Sequence, residues 1–180
     1  GSKCIVVTDF DHTMTAFRNT RNEKVPQCHD MIEKSKRFKD VKGWKLAWDT
    51  LWENQKKEYG TPEYEMARWW NRAHSILMKH DFRKSDISTV VDEYEKIIQI
   101  RDGIRELFQL CEEKNIPIVI VSAGVTDFIR EILRRKGIDV SSERVVICSN
   151  EMIFNKDGLI ERFTSPVVHA ESKGKIRGLR

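Results

Sequence analysis

Asp9-Phe10-Asp11-His12-Thr13 follows directly on the apolar run Cys4 to Thr8. Residues two apart in an extended segment point to one side, so Asp9 and Asp11 can face a single small substrate while Phe10 packs underneath. In parallel-sheet proteins ligands sit at the carboxyl ends of strands, where this pair would stand. One carboxylate could attack a phosphoryl group while the other shuttles a proton, and a hard Mg2+ among oxygen ligands would offset their mutual repulsion. A capping or turn pair is the plainer reading of the same two residues. A second apolar run ends in Val121-Ser122-Ala123-Gly124 just before a helical pattern. Small residues there let a phosphate approach backbone N–H groups and the positive end of a helix, and Ser122 adds a hydroxyl. A Ser/Gly turn between strand and helix is also common in α/β proteins of any function. Lys173 is a suitable point charge for a phosphate oxygen and for Asp9, and equally a solvated surface lysine.

Positioning these groups requires buried strands, and three short β-branched runs predict them: Cys4 to Thr8, Ile116 to Val121 and Arg144 to Cys148. Helical patterns near Gly103 to Lys114 and Thr126 to Lys136, the second stopped by Gly137, alternate with the later strands and predict a parallel sheet. Between the first two strands lies a segment rich in Lys, Glu and Trp that reads as several helices, with a break at Gly60-Thr61-Pro62. The expected division is a core of residues 3–19 and 100–180 with a helical cap of residues 20–99. Asn155-Lys156-Asp157-Gly158 between two apolar runs predicts a hairpin.

The 180 residues, 39% hydrophobic and 33% charged, suit one core of ordinary size. A formal net charge of +4 is too small to argue for a nucleic-acid polymer as partner. No apolar run approaches the roughly 20 residues that span a bilayer, so the expectation is a cytoplasmic protein without membrane contact. Cys4, Cys28, Cys111 and Cys148 lie far apart, which fits reduced thiols, and Cys28-His29 reads as structural because a metal site needs more ligands. Gly1-Ser2 is read as a cloning remnant and left out.

D-F-D-H-T, V-S-A-G and the downstream lysine together resemble the haloacid dehalogenase-like (HAD) phosphatase superfamily. The strings V-P-Q-C-H-D-M-I, R-W-W-N-R-A-H, V-V-I-C-S-N and H-A-E-S-K are similar to the cytosolic type III 5′-nucleotidases within it. The resemblance implies a Rossmann-like parallel sheet with an inserted helical cap and a Mg2+-dependent nucleoside monophosphate phosphohydrolase. It implies Asp9 as the nucleophile that becomes an aspartyl-phosphate and Asp11 as general acid/base, with Mg2+ on Asp9 and the Asp11 carbonyl. Thr13, Ser122, Ala123, Gly124 and Lys173 would hold the phosphate, with Asn150 near it. Phe17, Glu53, Trp69, Trp70 and His74 would form the base-recognition wall. The superfamily's fourth motif, an acidic pair after a further strand, is not found before Arg180. In the fold that the resemblance implies strand one is central, so one of its edges is expected to stand open here, giving either an edge-paired oligomer or a marginally stable and weakly active chain.

Trp69-Trp70 followed by Ala73-His74 is similar to the branch that accepts 7-methylguanosine monophosphate as well as CMP. N7-methylated guanine is cationic, and a cation over an indole face gains about 0.5 to 2 kcal/mol. Phe17 and Trp70 could sandwich it, with Glu53 accepting from its donor edge. Neighbours on a helix point about 100° apart, so one of the two indoles is expected in the pocket and the other in the cap core. Two other readings stay open: a phosphatase of small phosphomonoesters such as phosphoserine, and a catalytically impaired nucleotide-binding module.

Overall fold

The computed structural model describes residues 4–44 and 62–169. Strand β1 (Val6–Thr8) is followed by helices α1 (Cys28–Lys34), α2 (Pro62–Lys79), α3 (Lys84–Tyr94) and α4 (Ile104–Glu113). Then come β2 (Ile118–Val125), α5 (Thr126–Arg135), β3 (Val145–Asn150), β4 (Met152–Phe154) and β5 (Ile160–Phe163). β1, β2 and β3 form a parallel sheet in that order, with Thr8 beside Ile120 and Val121 beside Cys148. The expected α/β architecture is present, with α1, α2 and α3 inserted between β1 and β2.

Local chemistry accounts for the boundaries. Pro62 opens α2, where its missing N–H is not needed. Gly103 before α4 and Gly137 after α5 take positive φ of 85° and 71°, which glycine adopts without a Cβ penalty. Between β4 and β5 the Asn155 carboxamide oxygen accepts from the N–H groups of Asp157 (2.9 Å) and Leu159 (3.0 Å), the local bonding that makes Asn a turn residue.

The open edge expected on β1 is present among the described strands. Among the described strands β2 is central and buried nearly throughout, whereas β1 pairs on one side only. Ile5 and Val7, expected to be buried on a central strand, are about half exposed, because no described element covers that face of β1. The buried apolar residues form one cluster that takes Phe10, Ile118, Ile120 and Phe128 from around the sheet and Met31, Trp69, Trp70 and Leu77 from the insertion. α3 packs on α5, where the nearly buried Arg135 of α5 pairs with Glu131 (2.7 Å), Glu95 (3.2 Å) and Asp92.

Candidate active site

The chain turns sharply after β1. The Phe10 carbonyl accepts from Thr13, Met14 and Thr15 N–H, while the fully buried Phe10 ring anchors the turn from below. His12 takes a positive φ of 60°, its N–H donates to Thr15 Oγ1 (2.8 Å) and Arg101 donates to its carbonyl (3.0 Å). The loop carrying both carboxylates is thus held from three directions. Asp9 Oδ1 accepts from Phe10 N–H at 2.7 Å.

Asp11 faces the start of α1. Its carboxylate accepts from the Cys28 N–H (3.2 and 3.4 Å to its two oxygens) and from the Cys28 thiol (3.5 Å). Burial above all, with repulsion from Asp9 and Asp30, outweighs the lowering effect of the Cys28 bonds and pushes the Asp11 pKa up to about 7. A carboxyl poised there can both give and take a proton near neutrality.

Opposite this pair, the end of β2 bulges. Val121 pairs with Cys148 and Val125 with Asn150, so Ser122, Ala123 and Gly124 loop out between two registered positions. Ser122 Oγ accepts from Gly124 N–H (3.0 Å) and Ser149 Oγ donates to Gly124 O (2.8 Å). The fully buried Asn150 carboxamide donates to the carbonyls of Ala123 (3.0 Å), Gly124 (3.1 Å) and Val168 (2.9 Å). Asn150 therefore shapes the bulge rather than presenting its N–H groups to a phosphate. Gly124 touches everything important: a Cβ there would lie 3.0 Å from Cys28 Sγ and 3.1 Å from Asp11 Oδ2.

A cavity of about 270 Å³ opens between these parts. Asp9, Asp11, Ser122, Ala123 and Gly124 line one side, and Gln27, His29, Asp30, Met66, Trp69 and Trp70 line the other. Both tryptophans reach the cavity, against the expectation of one. Their rings meet edge to face (centroids 5.0 Å, 81°), and the breadth of an indole carries each to the wall despite diverging Cβ directions. His74 lies off the wall, stacked on Phe163 at 3.5 Å. Phe17 is also off the wall, half exposed and edge-on to His12 at 4.9 Å. Thr13 is exposed and does not line the cavity. Glu53 and Lys173 lie outside the described residues.

The structure adds His29, Gln27 and Asp30 to the wall. In the sequence this segment carries only the family-like string V-P-Q-C-H-D-M-I and a Cys28-His29 pair that reads as structural, with no site role for its residues. Pro26 and the Asp30 carboxylate reaching back to Gln27 N–H (3.4 Å) are the helix-start signal that could have brought the segment to notice. Larger clefts, of about 590 and 850 Å³, lie at the amino ends of the strands around Gly137 to Val145 and contain neither the paired carboxylates nor the indoles.

No group of three or more His, Cys, Asp or Glu residues converges as a metal cage among the described residues. The donors at the strand end, the Asp9 carboxylate and the Asp11 main-chain carbonyl, are hard oxygens. They fit Mg2+, which takes one or two carboxylates and fills its remaining positions with water and substrate phosphate.

Acid should weaken the wall. Burial pushes the His29 pKa down to about 3, and burial together with the nearby His29 does the same to His74. Each folded value lies below the unfolded value of about 6.5, so this contribution to stability is full above about pH 6.5 and is lost as pH falls towards 3. Asp11, with its raised pKa, acts in the opposite sense over part of the same window. The stability advantage of wild type relative to His29→Leu should therefore shrink, or its deficit grow, between about pH 7.5 and about pH 5 in urea titrations. A difference that stays constant across that range would contradict a neutral buried imidazole.

A parallel sheet whose first strand ends in Asp-x-Asp beside a bulged small-residue strand end, with helices inserted after that strand, is the fold of the HAD hydrolases. A HAD-family hydrolase from Salmonella enterica superposes with a TM-score of 0.59 at 16% identity, over 97% of this chain and 49% of that one. Cytosolic 5′-nucleotidase IIIB bound to cytidine superposes with a TM-score of 0.70 at 24% identity, over 93% of this chain and 55% of that one. At these identities the likeness is one of fold.

The chain belongs to the pyrimidine 5′-nucleotidase (UMPH-1) family, which matches residues 12–176. It is 32% identical over 182 residues to the 7-methylguanosine phosphate-specific 5′-nucleotidase of Gallus gallus, covering 96% of this chain and 60% of that protein. The Homo sapiens protein of the same description is 27% identical, with coverage of 96% and 58%. The chain thus spans about 60% of the length of these curated relatives. Among the described residues no helix is long and apolar enough to cross a membrane.

Proposed function

We propose that this chain hydrolyses nucleoside 5′-monophosphates, 7-methylguanosine monophosphate and the pyrimidine nucleotides CMP and UMP, to nucleoside and phosphate. The observation that carries the reading is the single cavity with a carboxylate pair and the Ser122 to Gly124 bulge on one side and two indoles on the other. Family membership supports the same reaction class.

An Asp9 carboxylate oxygen attacks phosphorus, the bond from phosphorus to the 5′-oxygen breaks, and Asp11 gives that oxygen its proton. Water then attacks the aspartyl-phosphate, Asp11 takes the water's proton, and Asp9 is restored. The raised pKa of Asp11 suits both roles. When bound at the Asp9 carboxylate and the Asp11 carbonyl, Mg2+ supplies charge neutralisation for the phosphate. Ser122, Ala123 and Gly124 cradle the phosphate with Lys173, Asn150 keeps the bulge in shape, and residues 20–99 act as the cap over a core of residues 3–19 and 100–180. Trp69 and Trp70 supply the base wall together with Glu53. The names of the relatives, a putative cytosolic 5′-nucleotidase 3 of Caenorhabditis elegans among them, support a cytoplasmic setting.

Phosphate release with Mg2+ across CMP, UMP, 7-methylguanosine monophosphate and phosphoserine tests the reading. Nucleotides should be preferred, because the wall opposite the carboxylates is aromatic and offers no cation for a substrate carboxylate among its described residues. Preference for phosphoserine would overturn it, and binding without turnover would favour an impaired binding module. Trp70→Ala should lower kcat/KM for 7-methylguanosine monophosphate by about 1 to 2 kcal/mol more than for CMP. Equal losses would make Trp70 a packing residue.

The outer edge of β1 has no strand partner among the described residues, and Ile5 and Val7 stand exposed beside it. Such an edge templates strand pairing, so we propose self-association there. Sedimentation should detect a concentration-dependent dimer that Val7→Lys abolishes. A monomer at every concentration tested would refute the contact.

A further inference from the structure

His29 is the residue of the described cavity wall with two buried polar atoms that its packing does not satisfy. It is 8% exposed, it lines the cavity, and neither ring nitrogen has a hydrogen-bond partner among the described residues. A buried polar group left unpaired is costly to the fold, and an apolar ring of similar size would avoid that cost. Its contacts are aromatic, with Trp70 edge-on at 4.1 Å and Trp69 at 5.2 Å. Through Cys28 it is adjacent in sequence to the amide that holds Asp11. It therefore sits between the end of the cavity that suits a phosphate and the end that suits a base.

Resting on the nucleotidase reading, we infer that His29 is a specificity residue whose neutral imidazole exchanges hydrogen bonds with the uncharged part of the nucleoside. One ring nitrogen donates and the other accepts, which matches a ribose hydroxyl or the donor–acceptor edge of a base. A phosphate is a poor match, because burial keeps the ring uncharged at neutral pH. The indoles give apolar contact to any flat ring, whereas His29 rejects ligands that cannot satisfy it.

His29→Leu separates this role from packing, since the two predict different outcomes for binding. The free variant should melt at or above the wild-type temperature, because an unpaired polar group is gone. It should bind cytidine and 7-methylguanosine at least tenfold more weakly by calorimetry. His29→Gln, which keeps a donor and an acceptor, should recover part of that affinity and serves as the second variant should His29→Leu fail to fold. If wild type prefers cytidine over 2′-deoxycytidine and His29→Leu or His29→Gln shifts that preference, the partner is the ribose. An unshifted preference with weakened binding of both makes it the base edge. Unchanged affinity in both variants would overturn the inference while leaving the nucleotidase reading intact. Failure of wild type to bind any nucleoside or nucleoside monophosphate would overturn both.

Discussion

Replacing Asp9 with Asn should abolish phosphate release from nucleoside monophosphates while leaving the fold in place. The two side chains have nearly the same volume, and the Asn oxygen can still accept from Phe10 N–H, the 2.7 Å bond that Asp9 makes. What is lost is the anionic oxygen that attacks phosphorus in the proposed reaction. Removal of a covalent nucleophile costs a factor of about a thousand or more in kcat. Melting temperature should move little, because the substitution creates no cavity and keeps the hydrogen bond from Phe10 N–H. Retention of more than about a tenth of wild-type turnover would refute Asp9 as the nucleophile. Asp11→Asn should behave differently, forming the aspartyl-phosphate slowly and releasing it more slowly still, since both proton transfers are compromised.

Gly124→Ala should be the second severe change, although it adds one methyl group. The new Cβ would lie 3.0 Å from Cys28 Sγ, 3.1 Å from Asp11 Oδ2 and 3.3 Å from Ser122 Oγ. Cys28 is fully buried and cannot retreat, so strain falls on the Asp11 carboxylate and the bulge. Overpacking of this kind costs about 1 to 3 kcal/mol of stability. A displacement of about 1 Å in the proton-transferring group can cost about a hundredfold in rate. Melting curves and kcat should therefore fall together. A Gly124→Ala protein with wild-type kcat would show that this close approach has no bearing on the chemistry.

Much of this was legible in the residues. The strand ends bearing Asp9 and Ser122 were readable because β-branched runs bounded by polar residues have few other fates, and the hairpin because Asn155 and Gly158 carry turn chemistry within themselves. The bulge at Ser122 to Gly124 was not readable. It depends on Asn150 spending its carboxamide on carbonyls 26 and 27 residues away along the chain. The one-sided pairing of β1 follows the expectation of an open edge, whereas the exposure of Ile5 and Val7 does not, since an apolar run looks the same covered and bare. Cys28-His29 reads as structural in the sequence because a metal site needs more ligands, and the place of His29 on the cavity wall with both ring nitrogens unpaired shows only in the folded chain. The tryptophans were judged by Cβ direction, which underestimates how far an indole reaches.

The central claim is that phosphate passes through Asp9. Wild-type protein mixed with CMP or 7-methylguanosine monophosphate and Mg2+, quenched in acid and examined by peptide mass spectrometry, tests it most directly. One phosphoryl group on Asp9 is expected, with more of it in Asp11→Asn and none in Asp9→Asn. Turnover with no phosphoryl group on Asp9, or with the group on another residue, would contradict it.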